Sequence, residues 1–234
     1  MNLRVALPIL FIWASAALAA ADSNDILTRG FTQMQAGDCP AVAETLQPLF
    51  TGKTPSQSSA YRLLSDCYSK TNQPGKALAT LREGLKSSPG SLILQRTLGE
   101  LLFHGNSDNP EAGALLQKSA EALPHDPESH HFYAQWAYLN NRESICVDQE
   151  RQALAVAGSN EHALLQMHTL KALCEDKLDQ AEAAGGDFRE SNSINLKLPP
   201  FDPATALQYV DFLNRRGKDS EAQKIVDELL ARAP

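Results

Sequence analysis

Four cysteines and six histidines are the residues of this chain best suited to chemistry. Thiols can pair as disulfides, hold a metal or cycle between redox states. Cys39, Cys67, Cys146 and Cys174 contain no C-x-x-C spacing, which leaves a zinc ribbon or a thioredoxin-like redox pair without support. Four cysteines allow three pairings. Cys39–Cys67 and Cys146–Cys174 share one separation, 28 residues, which favours a single structural relationship used twice over four buried free thiols. The histidines, His104, His125, His130, His131, His162 and His168, form no H-E-x-x-H or other ligand spacing. His130 and His131 are adjacent, so on a helix they point in different directions, and solvated or helix-edge positions are expected. No G-x-S-x-G, P-loop or dinucleotide-binding glycine pattern occurs. Acidic residues are scattered with no isolated pair placed for acid–base work. The chain therefore reads as non-enzymatic, with no metal and no cofactor.

The elements that carry these residues follow from composition and periodicity. The 234 residues hold 21 Lys+Arg against 28 Asp+Glu, a net charge of −7. That balance lacks the basic face a nucleic-acid binder needs. Hydrophobic residues at 43% argue against disorder, and aromatics at 6% disfavour barrels and sandwiches. Residues 1–21 read as a secretory signal: Arg4 supplies the charge, Val5 to Ala17 the apolar run, and Ala17-Leu18-Ala19 the small-residue cleavage site. Cleavage is expected after Ala19, with Ala21 as the second choice and a retained anchor as the alternative. No cysteine follows the site, which excludes a bacterial lipoprotein. No membrane span is expected once the signal is removed. Export to an oxidising compartment suits disulfides.

Beyond residue 21 the chain repeats itself. Tyr61, Leu64 and Tyr68 form one helical stripe, Asn72-Gln73-Pro74-Gly75 breaks it, and Ala77, Leu81 and Leu85 form a second stripe that Pro89 ends. Small residues recur in the first helix at Gly30, Ser65, Gly99 and Ala134, with His168 as a weak fifth. Val42, Ala77, Ala112, Cys146 and Gln180 mark the second helix. Tyr209, Val210, Leu213, Gly217, Ala222, Val226 and Leu229 form a last, clear unit ending at Pro234. This pattern resembles the tetratricopeptide repeat (TPR), and the alternatives are another helical-pair repeat or an irregular all-α domain. The expected architecture is an all-α, TPR-type α-solenoid of five to six helix–turn–helix units. They fall at about 22–55, 58–91, 92–126, 127–160 and a degenerate 161–184, followed by a loop insert at 185–202 and a C-terminal repeat at 203–234. Gly185-Gly186 is read as a helix stop, Asp202 as an N-cap and Pro203 as the first turn of the last pair. The turn from His104 to Pro110 carries one extra residue. The terminal helix has its own polar face, so no further C-terminal domain is expected.

The resemblance places Cys39 at the start of one second helix and Cys67 late in the following first helix. Cys146 and Cys174 stand in the same relation, so each pair would staple neighbouring units. The resemblance also implies a concave groove lined by first helices: Arg62, Asp66 and Lys70; Arg96, Glu100, Phe103 and His104; and His131, Gln135 and Tyr138. Asp66 departs from the Lys/Asn clamp for a C-terminal carboxylate, which disfavours a chaperone-tail receptor. The implied function is an exported, periplasmic or secreted scaffold or adaptor that binds a protein or peptide in envelope assembly or maintenance. The alternative is an accessory subunit or enzyme of peptidoglycan processing or cytochrome maturation.

Overall fold

The structure, a computed structural model, describes residues 9–51 and 55–232. Residues 1–8 of the expected signal, the side chains of residues 9–21, and Thr54 and Pro234 lie outside the described residues. Twelve helices and no strand occur among those described. They follow one another as α1 (Ile9–Gln35), α2 (Cys39–Phe50), α3 (Pro55–Lys70), α4 (Pro74–Ser87), α5 (Leu92–Gly105) and α6 (Pro110–Ala122). The second half adds α7 (Pro127–Leu139), α8 (Glu143–Val156), α9 (Glu161–Lys177), α10 (Ala181–Asn195), α11 (Pro203–Arg215) and α12 (Asp219–Arg232). The all-α helix-hairpin architecture holds. No helix among the described residues is long and apolar enough to cross a membrane.

α1 and α2, α3 and α4, α7 and α8, α9 and α10, and α11 and α12 form hairpins, and their five turns are built alike. Gly37, Asn72, Asn141, Asp179 and Gly217 each take a positive φ, between 53° and 74°. The next residue donates its N–H to a carbonyl five positions back, as Gln73 to Tyr68 (2.8 Å) and Arg142 to Ala137 (2.8 Å). This is the left-handed helix stop that Gly, Asn and Asp tolerate best. The α5–α6 turn is one residue longer and closes without such a residue: Asn109 instead caps α6, accepting from the N–H of Glu111 and Ala112.

The left-handed residues supply a ruler for the repeat. Gly30, Ser65, Ala134, Ala172 and Val210 each precede one by seven positions, and Val42, Ala77, Cys146, Ala184 and Ala222 each follow one by five. The small-residue positions of the fifth hairpin are therefore Ala172 and Ala184, both fully buried, and not His168 and Gln180. The hairpin is not degenerate. Its first helix is 17 residues long against 13 for α7, one extra turn, and this shifted the apparent register.

The expected loop at 185–202 is likewise corrected. α10 runs through Gly185 and Gly186 to Asn195, so this hairpin extends well past residue 184. Two glycines cost a helix interior about 1 kcal/mol each. Packing outweighs that cost: Phe188 is fully buried, stacked on Tyr209 (5.6 Å) and against Phe212 (5.1 Å). Only the short segment after α10 is irregular. Asn195 ties it down, donating to the Asp202 carbonyl (2.7 Å) and accepting from the Asp202 N–H (2.8 Å). Asp202 caps α11 and Pro203 occupies its first turn, as expected.

The chain divides into two compact units, Met1–Leu101 and Leu102–Pro234. In the first, α2 packs on α1 and α3 around Val42, Leu46, Leu49, Leu63 and Leu64. Gly30 lets α1 approach, since a Cβ there would stand 2.9 Å from Leu46. The second unit stacks α6 on α7, α7 on α8, α8 on α9, α9 on α10 and α10 on α11. One apolar cluster of this unit joins Ala172, Ala184, Phe188, Tyr209, Phe212 and Leu213.

Candidate binding groove

The cysteines meet as the equal spacing predicts. Cys39 and Cys67 lie at disulfide distance with Cα atoms 5.7 Å apart, and Cys146 and Cys174 with Cα atoms 6.2 Å apart. All four are buried. Each pair joins the second helix of one hairpin to the first helix of the next, α2 to α3 and α8 to α9.

The groove residues divide between the units. In the first unit Arg62 and Asp66 pair with each other along α3 at 3.7 Å, and Lys70 is exposed one turn further on. Arg96 is buried, 8% exposed, and Glu100 is half-buried on the same helix. In the second unit the expected residues converge. Phe103, His104, Gln135 and Tyr138 line one cavity of about 590 Å³, whose other walls include Ser107, Leu139 and Leu170. The longer α5–α6 turn supplies Asn106 and Ser107 to this wall. None of the lining residues is Asp, Glu, Lys or Arg. A second cavity, about 440 Å³, is lined by His131, Gln135, Leu165, Leu170 and Leu173 together with the start of α11. Gln135 and Leu170 line both, so the two cavities form one groove across the first helices of successive hairpins.

Several contacts fix the walls. Tyr138 lies beneath the Lys177 ammonium, 4.3 Å from its ring centre, and Lys177 also reaches Glu143 (3.4 Å). The His104 ring stands 6.4 Å from Phe132, edge to face. Leu139 is half exposed (51%) at the rim, an apolar side chain of this size being notable beside a cavity.

Beneath the groove lie charged groups that the sequence did not reveal. His130 and His131 are buried, not solvated, because α8 supplies a polar partner to each. His130 meets Gln149 at 2.8 Å and His131 meets Glu150 at 2.6 Å. Glu150 is 0% exposed. Burial pushes its carboxyl above the ordinary range, and the hydrogen bond from His131 offsets part of that shift. His131 Nε2 in turn meets Gln135 Nε2 at 2.9 Å. A second set occupies α9 and α10: His168 meets Asp187 at 2.6 Å, and Lys171 reaches Glu175 at 2.7 Å and also Asp187. Burial would raise the Asp187 carboxyl, but hydrogen bonds from His168 and Lys171 prevail and hold it below the usual carboxylate range. Burial would lower Lys171, and Asp187 and Glu175 reverse that. Both His–carboxylate pairs are 19 residues apart in sequence, first helix to second. Among the described residues, no group of three His, Cys, Asp or Glu side chains is placed to hold a metal ion.

The sequence matches no family profile and no curated protein. Solved structures do match in fold. PilW, a widely conserved type IV pilus biogenesis factor, superposes with a TM-score of 0.73 at 15% identity, over 89% of this chain and 92% of its own. A tetratricopeptide repeat protein from Parabacteroides merdae gives 0.65 at 12% identity, over 92% of this chain and 81% of its own. YrrB, a TPR protein with an unusual peptide-binding site, gives 0.57 at 12% identity, over 75% of this chain and 86% of its own. The helix hairpins, their left-handed turns and these superpositions together show that the chain has the tetratricopeptide-repeat fold.

Proposed function

We propose that this is an exported, non-enzymatic TPR scaffold or adaptor that binds a protein or peptide partner in the bacterial envelope. The observation that carries the reading is the groove of the second unit, where Phe103, His104, His131, Gln135 and Tyr138 line two joined cavities. A concave, mostly apolar site with a few fixed polar groups suits an extended or helical segment. YrrB's peptide-binding site supports the same use of the fold. Export is supported by the leader-like residues 1–21 and by two cysteine pairs at disulfide distance. Arg62, Asp66 and Lys70 extend the reading to α3 of the first unit.

Photo-crosslinking in the living cell tests it. A benzophenone side chain at Leu139 is expected to capture one dominant envelope protein. The same group at exposed Asp148 on α8 is expected to capture none. Equal labelling from both positions, or turnover of an envelope substrate by the purified protein, overturns the reading.

A further inference from the structure

The two joined cavities share one polar side chain, and that side chain is held from below. Gln135 stands on both linings. Its amide nitrogen meets His131 Nε2 at 2.9 Å, and His131 Nδ1 meets Glu150 Oε1 at 2.6 Å. With Nδ1–H donating to the Glu150 carboxylate, His131 Nε2 is left as an acceptor and takes one N–H of Gln135. Gln135 then has a carbonyl oxygen and a second N–H to offer the groove. Such a pair, one acceptor beside one donor, matches the N–H and C=O of a single residue of an extended chain, which leave the same edge. On either side apolar side chains line the walls: Phe103, Tyr138 and Leu139 in the first cavity, where no Asp, Glu, Lys or Arg stands, and Leu165, Leu170 and Leu173 in the second, whose far wall carries Asp202.

We propose that the groove takes an extended stretch of polypeptide that is uncharged where it enters the first cavity. Gln135 hydrogen-bonds the backbone N–H and C=O of one residue of that stretch, and the apolar side chains on either side of that residue enter the two cavities. This rests on the peptide-binding reading and specifies its ligand. Side chains at i and i+2 of an extended chain leave the same face about 7 Å apart, which lets one ligand fill both cavities over a single shared residue. Glu150 is a positioning residue: fully buried and absent from either lining, it fixes His131, and through it which atoms Gln135 presents. A charged anchor is disfavoured, because no fixed charge in the first cavity would compensate its desolvation.

The test uses the full mature chain and the capped peptide N-acetyl-Ser-Leu-Ser-Leu-Ser-amide, followed by amide and methyl NMR shifts. Shifts at Leu139, Leu165 and Leu170 are expected on titration. Methylating the backbone nitrogen of the central serine is expected to weaken binding about threefold to tenfold, the worth of one hydrogen bond. Gln135→Ala should weaken the unmethylated peptide to the same degree and leave the methylated one unchanged. Glu150→Leu should release Gln135 and weaken binding similarly, whereas Glu150→Gln, which can still accept from His131, should restore it. The histidine nitrogen spectrum should show an Nδ1–H tautomer for His131 in the wild type and in Glu150→Gln. Binding that ignores both backbone methylation and Gln135→Ala overturns the inference and leaves the peptide-binding reading standing. Absence of any shift in either cavity, with this peptide and with its Phe-substituted counterpart, overturns both.

Discussion

The Trp136 indole packs against Gly113, so close that a Cβ on Gly113 would fall 2.4 Å from the ring. The contact brings α6 onto α7 in the second unit, and the ring is enclosed further by Tyr133 (5.9 Å) and the Arg142 guanidinium (5.0 Å). A rigid ring wedged among these neighbours cannot swing aside as a flexible side chain would. Gly113→Ala is therefore expected to destabilise by about 3 kcal/mol, at the upper end of overpacking costs. Gly186, inside α10, has open space where a Cβ would sit. Gly186→Ala should stabilise by about 0.5–1 kcal/mol through helix propensity. Urea denaturation of both variants checks the pair, and equal effects of one sign would contradict the packing described.

The hairpin turns give a second prediction. Asn72 and Asn141 hold φ at 57° and 53°, a region costly for β-branched side chains. Asn72→Gly is expected to be neutral or slightly stabilising, and Asn72→Val to cost about 1–2 kcal/mol. Ser107, in the longer turn, takes no such conformation, so Ser107→Val should lie within about 0.5 kcal/mol of wild type. Thermal melts of the three variants separate the two turn types.

The repeat was legible wherever a small residue in the first helix kept its distance from the turn, as at Gly30, Ser65 and Ala134. It was misread in the fifth hairpin because Asp179, unlike Asn-Gln-Pro-Gly at 72–75, carries no obvious turn signature. Its left-handed φ becomes visible only in the backbone. Counting from His168 then concealed the extra turn of α9 and turned a helix with two glycines into a loop. Phe103, His104, Gln135 and Tyr138, which the resemblance to the repeat family singles out, line one cavity. Glu150 and Asp187 were not legible: each meets its histidine across two helices, 19 residues away, and no local pattern distinguishes them from surface acids. A ruler anchored on Gly, Asn and Asp at turns would have recovered the register.

The cysteine pairs carry a stability prediction. Both close loops of the same sequence separation, 28 residues, so the loop-entropy contribution should be equal, about 3–4 kcal/mol each. Replacing Cys39 and Cys67 together by serine, or Cys146 and Cys174 together, is expected to lower the unfolding free energy by that amount. Reductant should produce no further loss in the variant lacking both pairs. Non-reducing peptide mapping of the purified protein checks the pairing. A Cys67–Cys146 peptide, or four thiols free to react after denaturation, would rule it out.

Acid should weaken the second unit through two aspartates. Burial alone would raise Asp176, yet hydrogen bonds from Arg216 and Arg215 hold it below its ordinary value, and His168 and Lys171 do the same for Asp187. A carboxyl lowered by folding contributes stability that is complete above the ordinary aspartate range and is lost as pH falls through the lowered value. Glu150 works in the opposite sense: raised by burial, its contribution is complete below about pH 4.5 and fades as the pH rises and the buried group ionises. Acid loss must therefore come from the aspartates. The urea midpoint of the wild type is expected to fall steeply below about pH 4. Asp187→Asn should cost about 2 kcal/mol at neutral pH, the scale of a charged hydrogen bond, and flatten the acid limb. Asp187 faces His168 and Lys171 from α9, with Glu175 alongside, so the variant leaves Lys171 paired with Glu175. An acid limb as steep in Asp187→Asn as in the wild type would mean that this carboxyl is not held in its ionised form by the α9 cations.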